Sequence, residues 1–501
     1  MGLTYHAVLF TDITTRFHSK TLGAYRIASE LRSHGYRVLV IDYLNRWLIE
    51  PAVFLKLLKK VISKDTLFLG YSGTFITNIT NKSTNKNTNR SKWSVDPESI
   101  AGINHFIKKL NPSIKIIYGG AQANIITDEI LNCGIDYIVQ GFADSTIVDI
   151  ITALDQNKSP RFSDSIKGVK IIKYDAKGLN FDFRNRGNTV YTNDDFIIPG
   201  ETLPIEISRG CMFKCSFCSF PLLGRNKHDL SYVKDPAILT KELVYNYEKF
   251  NTTNYMITDD TFNESTEKIL TVKKAINDSG VNIRFFAYLR ADILARFPEQ
   301  MDILIDMGLM TASFGIETLN HKSAKSVGKG LHPDRVKECL LKFKNKSKGQ
   351  IVTHGNFIAG LPHDTEQSLN DDMQWVFDNE DFLDTYDIHT LSLTQGDVWS
   401  SEITQEPEKY GYKIFNNGTR WENSHMNIEK AKEISDYWNS KGRNEGRQKI
   451  GSMMLMSGLN FGYDYDDLYA MRSNNMPLAE IDKRSELKWQ EYQQLVFNLL
   501  A

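Results

Sequence analysis

The chain has 501 residues, of which 41% are apolar and 24% charged. That is enough for about three domains at roughly 100–200 residues each, and it excludes general disorder. Lys plus Arg (60) balances Asp plus Glu (61) for a net charge of −1, so no global basic field exists to grip nucleic acid. No run of 18 apolar residues occurs, so no membrane span is expected. The first residues lack the basic and apolar regions of a signal peptide. Five cysteines, an odd and sparse count, argue against a disulfide framework and for a reducing, cytoplasmic setting.

In chain order, the first 155 residues alternate strand-like and helix-like runs. Strands are predicted at Tyr5–Thr11, Tyr36–Tyr43, Thr66–Ser72, Lys115–Tyr118 and Tyr137–Val139. Amphipathic segments lie between them, marked by Leu22, Ile27 and Leu31, by Phe54, Leu57, Leu58 and Val61, and by Ile100, Ile103, Phe106, Ile107 and Leu110. This order predicts a doubly wound parallel sheet, which takes ligands at the carboxyl ends of its strands. Residues 76–92, rich in Asn, Thr and Lys, read as a surface loop. Residues 156–200 are less regular and read as a linker, with short strands predicted at Gly168–Lys173 and Thr189–Tyr191. A second alternating series fills 201–420. Its strands are predicted at Thr202–Ile207, Tyr255–Thr258, Ile283–Tyr288, Thr311–Gly315, Thr353–Ile358 and Asp387–Leu393, which fits a partial or complete parallel barrel. Residues 421–501 read as a helical extension in which the Met453–Met456 cluster fills core.

Three of the five cysteines fall within eight residues, in Arg209-Gly210-Cys211-Met212-Phe213-Lys214-Cys215-Ser216-Phe217-Cys218. The spacing is C-x3-C-x2-C, on a loop directly after the first barrel strand, where a barrel places catalytic groups. Thiolates bind iron–sulfur clusters or zinc. A closed zinc site needs a fourth ligand, and His228 is poorly spaced for one. Three cysteines on a 4Fe–4S cluster leave one iron open to a substrate or cofactor, which favours catalysis over a structural or electron-transfer site. Cys133 and Cys339 read as structural. Tyr288, His354 and His389 lie on barrel strands and are candidate acid–base groups, with ordinary core packing as the alternative. Thr202–Arg209 reads as shaping the mouth.

This cysteine loop, "IEISRGCMFKCSFC", resembles that of the radical S-adenosylmethionine (SAM) superfamily, in its cobalamin-associated branch. Further segments resemble the family's motifs in the right order: "ITDDTF" (257–262), "FFAYLRADIL" (285–294), "SFGIETLN" (313–320) followed by Lys329-Gly330, and "GNFIAGLPHDT" (355–365). In the last of these, His363 and Asp364 replace the usual Gly and Glu. The resemblance implies that Cys211, Cys215 and Cys218 hold a 4Fe–4S cluster whose open iron is chelated by SAM. One-electron reduction would then yield a 5′-deoxyadenosyl radical. It also implies SAM contacts from Phe217, Asp259 or Asp260, Arg290, Glu317, Gly360 and Leu361.

The first 155 residues resemble the cobalamin-binding domain that precedes many such barrels, on "KTLGAYRIASELRSHGYRVLVID", "IKIIYGGAQANIITDEIL" and "GIDYIVQGFADST". That implies cobalamin contacts from Ser72, Gly73, Thr74, Gly119, Gly120, Gln122 and Gly141. The D-x-H-x-x-G motif that supplies a histidine to cobalt in one cobalamin class is absent; Asp12, His18 and Gly23 occur at wider spacing. The expected activity is cobalamin-dependent methyl transfer to an unactivated carbon or a phosphinate phosphorus. A small-molecule substrate and an electron donor such as flavodoxin or ferredoxin are also expected. The alternatives are a radical rearrangement, cyclisation or oxidation, or a non-catalytic iron–sulfur sensor. Methylthiolation is disfavoured, because the N-terminal half lacks three further cysteines for a second cluster.

Overall fold

The computed structural model describes residues 4–12, 19–76, 95–174, 180–220, 230–393, 395–396, 399–445, 455, 458–472 and 478–500. His18, His228, most of the 76–92 segment, the methionines of the 453–456 cluster and the side chain of Gln122 lie outside them.

The first sheet contains β1 (Ala7–Phe10), β2 (Val38–Ile41), β3 (Phe68–Ser72), β4 (Lys115–Gly119), β5 (Tyr137–Val139), β6 (Asp164–Ile166) and β7 (Val169–Ile172). Its order is β2-β1-β3-β4-β5-β7-β6, parallel throughout except for β6, which pairs antiparallel with β7. The near-continuous apolar strands follow from burial of both faces. In β1, Ala7 and Leu9 join one core while Val8 and Phe10 join another. The stretch 156–200 is therefore more than a connection, since two of its strands extend this sheet. The run Thr189–Tyr191 forms no strand; Tyr191 is buried instead against Tyr25 of the first helix (Leu22–Ser33).

The second sheet is built from β8 (Leu203–Ile205), β9 (Asn254–Ile257), β10 (Arg284–Arg290), β11 (Leu309–Glu317), β12 (Val352–Ala359) and β13 (Thr385–Thr390). They pair in simple sequential order, all parallel. Among the described residues β8 and β13 do not pair, so the barrel is open. Cross-strand register stacks its inner face in layers. One row runs Tyr288–Ser313–His354–Thr385, and the row nearer the mouth runs Arg290–Gly315–Asn356–Asp387. Below them Phe286 and Val352 meet Leu455, Leu459 and Tyr463 of the C-terminal segment.

That segment ties the two sheets together. Its last helix, Leu478–Leu500, sets Trp489, Tyr492 and Val496 into the core of the first sheet, and the amide of Asp42 donates to the Tyr492 hydroxyl (3.0 Å). Between the sheets, the helices 22–33 and 146–155 share one continuous core with the barrel. Among the described residues no helix is long and apolar enough to cross a membrane.

Candidate functional site

Two cavities meet where the sheets face each other. The smaller, about 230 Å³, opens at the barrel mouth and is lined by Cys211, Cys215 and Cys218. Local bonds fix the loop that carries them. The Asp259 carboxylate accepts from the amides of Ile207 (2.7 Å) and Ser208 (2.9 Å) at the exit of β8. Glu264 accepts from the amide of Met212 (3.0 Å). Lys268, fully buried, lies 2.8 Å from Asp259 and 3.0 Å from Glu264 and is shared between them. Further along, the amide of Ser216 donates to the Val327 carbonyl and that of Ile403 to the Ser216 carbonyl.

Burial pushes the Cys211 thiol up to about 11 and the Cys218 thiol up to about 12. The protein thus does not hold these two sulfurs as thiolates by itself, and a bound metal group would supply that charge. Among the described residues no three His, Cys, Asp or Glu side chains are placed to hold a single metal ion. The cysteines instead ring a cavity. That arrangement suits a multi-iron cluster, in which each iron takes its own thiolate.

Four of the other residues expected here line the same cavity: Phe217, Asp260, Arg290 and Glu317. Three do not. Asp259 faces inward to the bonds just described and is 1% exposed. Gly360 lies beneath Trp421, where a Cβ would come within 2.4 Å of the indole, and its carbonyl accepts from Tyr412. Leu361 is fully buried. These positions correct the expectation that Gly360 and Leu361 line the cavity; long-range packing by Trp421 claims that part of the strand end. Asp260 makes no ion pair among the described residues. Its carboxyl is pushed up to about 7 by burial and by the nearby Asp259 and Glu206 carboxylates. Glu317 adopts a left-handed backbone (φ +69°) and pairs with Lys329 at 3.2 Å. A non-glycine residue in that region stores strain, a feature that clusters at functional sites.

Of the acid–base candidates, Tyr288 lines the cavity. His354, in the same row, is wholly buried, with Nδ1 2.5 Å from the Thr385 hydroxyl and Nε2 3.4 Å from Asp387. His389 is exposed on β13.

The larger cavity, about 370 Å³, sits at the carboxyl ends of the first sheet. The volume falls within the range of small-molecule sites, roughly 300–1,000 Å³. Ser72, Thr74, Gly119, Gly120 and Gly141 line it. Gly73 does not, because it is pressed against Tyr118, whose ring a Cβ would meet at 2.5 Å. Gly120 has φ +92°, and a Cβ there would come within 3.2 Å of the Thr74 amide, so the turn needs glycine.

Gly23, Arg26, Asp144 and Trp399 also line it and were not among the expected contacts, and Glu206 and Arg209 come from the segment Thr202–Arg209 read as shaping the mouth. Arg209 is bound by Asp144 (2.7 Å) and Glu206 (2.8 Å), and its guanidinium lies over the rings of Phe142 and Phe183, each at 4.8 Å. Trp399 and Asn124 exchange two bonds, of 2.9 and 3.0 Å, across 275 residues of chain. Asp260 and Phe220 line both cavities, so the two spaces adjoin.

Residues 205–376 match the Radical SAM superfamily. The chain is 23% identical over 283 residues to an uncharacterized methyltransferase of Pyrococcus horikoshii, covering 52% of this chain and 57% of that protein. It is 21% identical over 278 residues to the anaerobic magnesium-protoporphyrin IX monomethyl ester cyclase of Rubrivivax gelatinosus, covering 53% and 49%. The chain thus spans about half the length of the curated relatives it matches. Among solved structures it resembles TsrM from Kitasatospora setae, a radical SAM methyltransferase solved with tryptophan substrate and a SAM analogue. There the TM-score is 0.63 at 12% identity, over 95% of this chain and 99% of that one. It also resembles OxsB, a cobalamin-dependent SAM radical enzyme solved with aqua-cobalamin, with a TM-score of 0.59 at 12% identity over 99% and 80%. At these identities the structural likeness concerns the fold: an N-terminal parallel sheet, then a second parallel sheet.

Proposed function

We propose, on the premise that residues 205–376 are a radical SAM domain, that this chain is a cobalamin-dependent radical SAM methyltransferase acting on a small molecule. In this reading Cys211, Cys215 and Cys218 hold a 4Fe–4S cluster, the smaller cavity takes SAM, and the larger takes cobalamin. When bound, these groups supply one-electron cleavage of the SAM sulfonium bond to methionine and a 5′-deoxyadenosyl radical, and a transferable methyl group on cobalt. The chain's own work is binding and orientation. Asp260 accepts from the SAM ammonium, Glu317 from a ribose hydroxyl, and Phe217 packs near the adenine. Gly119, Gly120 and Gly141 let the backbone approach a flat macrocycle.

The observation that carries the reading is the junction of the two cavities at Asp260 and Phe220. It would bring a radical source and a methyl donor next to each other, as transfer to one acceptor requires. The tryptophan in the TsrM structure supports a substrate of small-molecule size. An electron donor of the flavodoxin or ferredoxin class would reduce the cluster.

The test is anaerobic reconstitution with iron, sulfide and hydroxocobalamin, followed by desalting, metal analysis and incubation with methyl-labelled SAM. About four irons and one cobalt per chain are expected, with 5′-deoxyadenosine formed on reduction. Iron without retained cobalt would refute the role of the first domain, and no iron at all would refute the whole reading. A second reading, radical cyclisation, is favoured by the similarity to the cyclase of Rubrivivax gelatinosus. It predicts that no label reaches the product.

A further inference from the structure

Arg290 ends β10, and the family resemblance implies that it contacts the carboxylate or a ribose hydroxyl of SAM. Its surroundings assign most of its donors elsewhere. The residue is 5% exposed. Nε and Nη2 grip the Asp292 carboxylate at 3.0 and 2.7 Å, a two-point contact that fixes the guanidinium plane. Nη2 also reaches the Gly328 carbonyl at 3.4 Å. One face lies 4.0 Å from the centre of the Phe213 ring, between the first two cysteines. Held this way, Nη1 donates to the Sγ of Cys215 at 2.9 Å. Of the five N–H groups of a guanidinium, one on Nη1 remains for the cavity.

We infer that Arg290 sets the reduction potential of the metal group bound at Cys215, through its Nη1–H···Sγ bond, and that Asp292 opposes it. The inference rests on the cluster reading proposed above. Hydrogen bonds to cluster sulfurs and the net charge around a cluster are two of the levers that fix its potential. Reduction adds one electron to the cluster and its thiolates. A donor aimed at a thiolate favours that more negative state and raises the potential. Asp292 lies within the same contact and contributes a partly buried negative charge that favours the oxidised state. The two residues therefore pull in opposite directions, which a merely structural clamp would not do. In Arg290→Gln the donor is lost and the Asp292 carboxylate is left uncompensated, and both effects lower the potential. In Asp292→Asn the guanidinium charge is left uncompensated and the potential rises.

The experiment reconstitutes wild type, Arg290→Gln, Arg290→Lys and Asp292→Asn anaerobically, measures iron and sulfide per chain, and titrates each with dithionite and mediators. The reduced cluster is followed by electron paramagnetic resonance without SAM. At equal iron content, Arg290→Gln is expected below wild type, Asp292→Asn above it, and Arg290→Lys between Gln and wild type. Shifts of the same sign in Arg290→Gln and Asp292→Asn, or no shift in either, overturn the inference and leave the cluster reading intact. If Arg290→Gln fails to retain iron, Asp292→Asn decides: a raised potential upholds the inference and an unchanged or lowered one overturns it. A wild type that takes up no iron overturns the cluster reading and this inference together. That case is recognised at the iron analysis, before any titration.

Discussion

Lys268 is the hub on which the cysteine loop rests, and replacing it with methionine tests that directly. Its ammonium is fully buried and has four polar neighbours: Asp259 (2.8 Å), Glu264 (3.0 Å), the Ser208 hydroxyl (2.6 Å) and the Thr261 carbonyl (3.0 Å). Methionine preserves the length and most of the volume, so a cavity contributes little. What remains is electrostatic: two carboxylates, both without exposed surface, lose their shared cation. Breaking a buried pair by removing one partner costs about 3–5 kcal/mol. Asp259 keeps its two amide donors and Glu264 keeps one, which holds the loss within that range rather than above it. Lys273→Met is the control. Its pair with Asp306 (3.1 Å) is largely exposed, and such pairs contribute roughly 0–1 kcal/mol. Urea unfolding followed by circular dichroism gives the difference, and iron per chain after reconstitution reports the loop. Lys268→Met is expected to lose both stability and iron. A loss under about 1 kcal/mol with full iron retention would refute the claim that this buried triad shapes the cysteine loop.

Cys215→Ala is expected to abolish stable cluster retention while leaving the secondary structure intact, read by iron and sulfide analysis beside circular dichroism; full retention would remove Cys215 from the ligand set. Gly23→Phe probes the larger cavity. A Cβ at Gly23 meets only the Ser72 hydroxyl, at 4.0 Å, so the helix accommodates the side chain, which then occupies the cavity. Retained cobalt should fall at least tenfold with iron unchanged, and undiminished cobalt would place cobalamin elsewhere. Asp364, fully buried, has its carboxyl pushed up to about 8, chiefly by burial. The folded state then holds a proton that the unfolded chain releases near pH 4. Stability should fall as pH rises from about 4 to 8, by up to about 1.4 kcal/mol per unit. Asp364→Asn should flatten that slope in urea midpoints taken from pH 5 to 8, and parallel curves would refute the assignment.

The strands were legible because both faces of each sheet are buried, so β1, β2 and β4 read as plain apolar runs. The cysteine loop was legible because its spacing is local. What escaped the sequence depends on direction or distance. Asp259 and Asp260 are adjacent at a strand exit, where side chains alternate in direction. One turns into the core and the other into both cavities, and composition cannot tell which. Glu264 and Lys268 stand at i and i+4 around Ser265, whose side chain accepts from the Lys268 amide as a helix cap. Their sequence pattern is that of an ordinary helix start; burial makes it the support of a site. Gly360 matched a motif, yet its surroundings are set by Trp421, which only the fold brings near. The strand β7 was read as Gly168–Lys173, whereas β6 was hidden by weak patterning. β6 is a three-residue edge strand, largely exposed on the antiparallel side of the sheet.

Beside the junction of the two cavities, Arg209, two residues before Cys211, links the two sheets. Its bond to Asp144 crosses from the cysteine loop to the loop after β5, and Asp144 is held on its other side by Arg26 at 3.0 Å. Arg26 in turn pairs with Glu30, and Glu30 with Arg186. The result is a chain of alternating charges, with Arg209, Asp144, Arg26 and Glu30 all buried. Replacing such pairs with apolar side chains is often neutral or stabilising, so stability alone does not explain the chain. Position does. An apolar contact would tolerate sliding between the two domains, whereas a guanidinium bonded to carboxylates on either side fixes both distance and orientation. Asp144 and Arg209 both line the larger cavity, and Arg209 stands two residues before Cys211 in the chain, so this bond ties the start of the cysteine loop to the first sheet. Under the proposed reaction, which would bring a radical source and a methyl donor to one acceptor, a fixed register between the two sheets is what this bond would contribute.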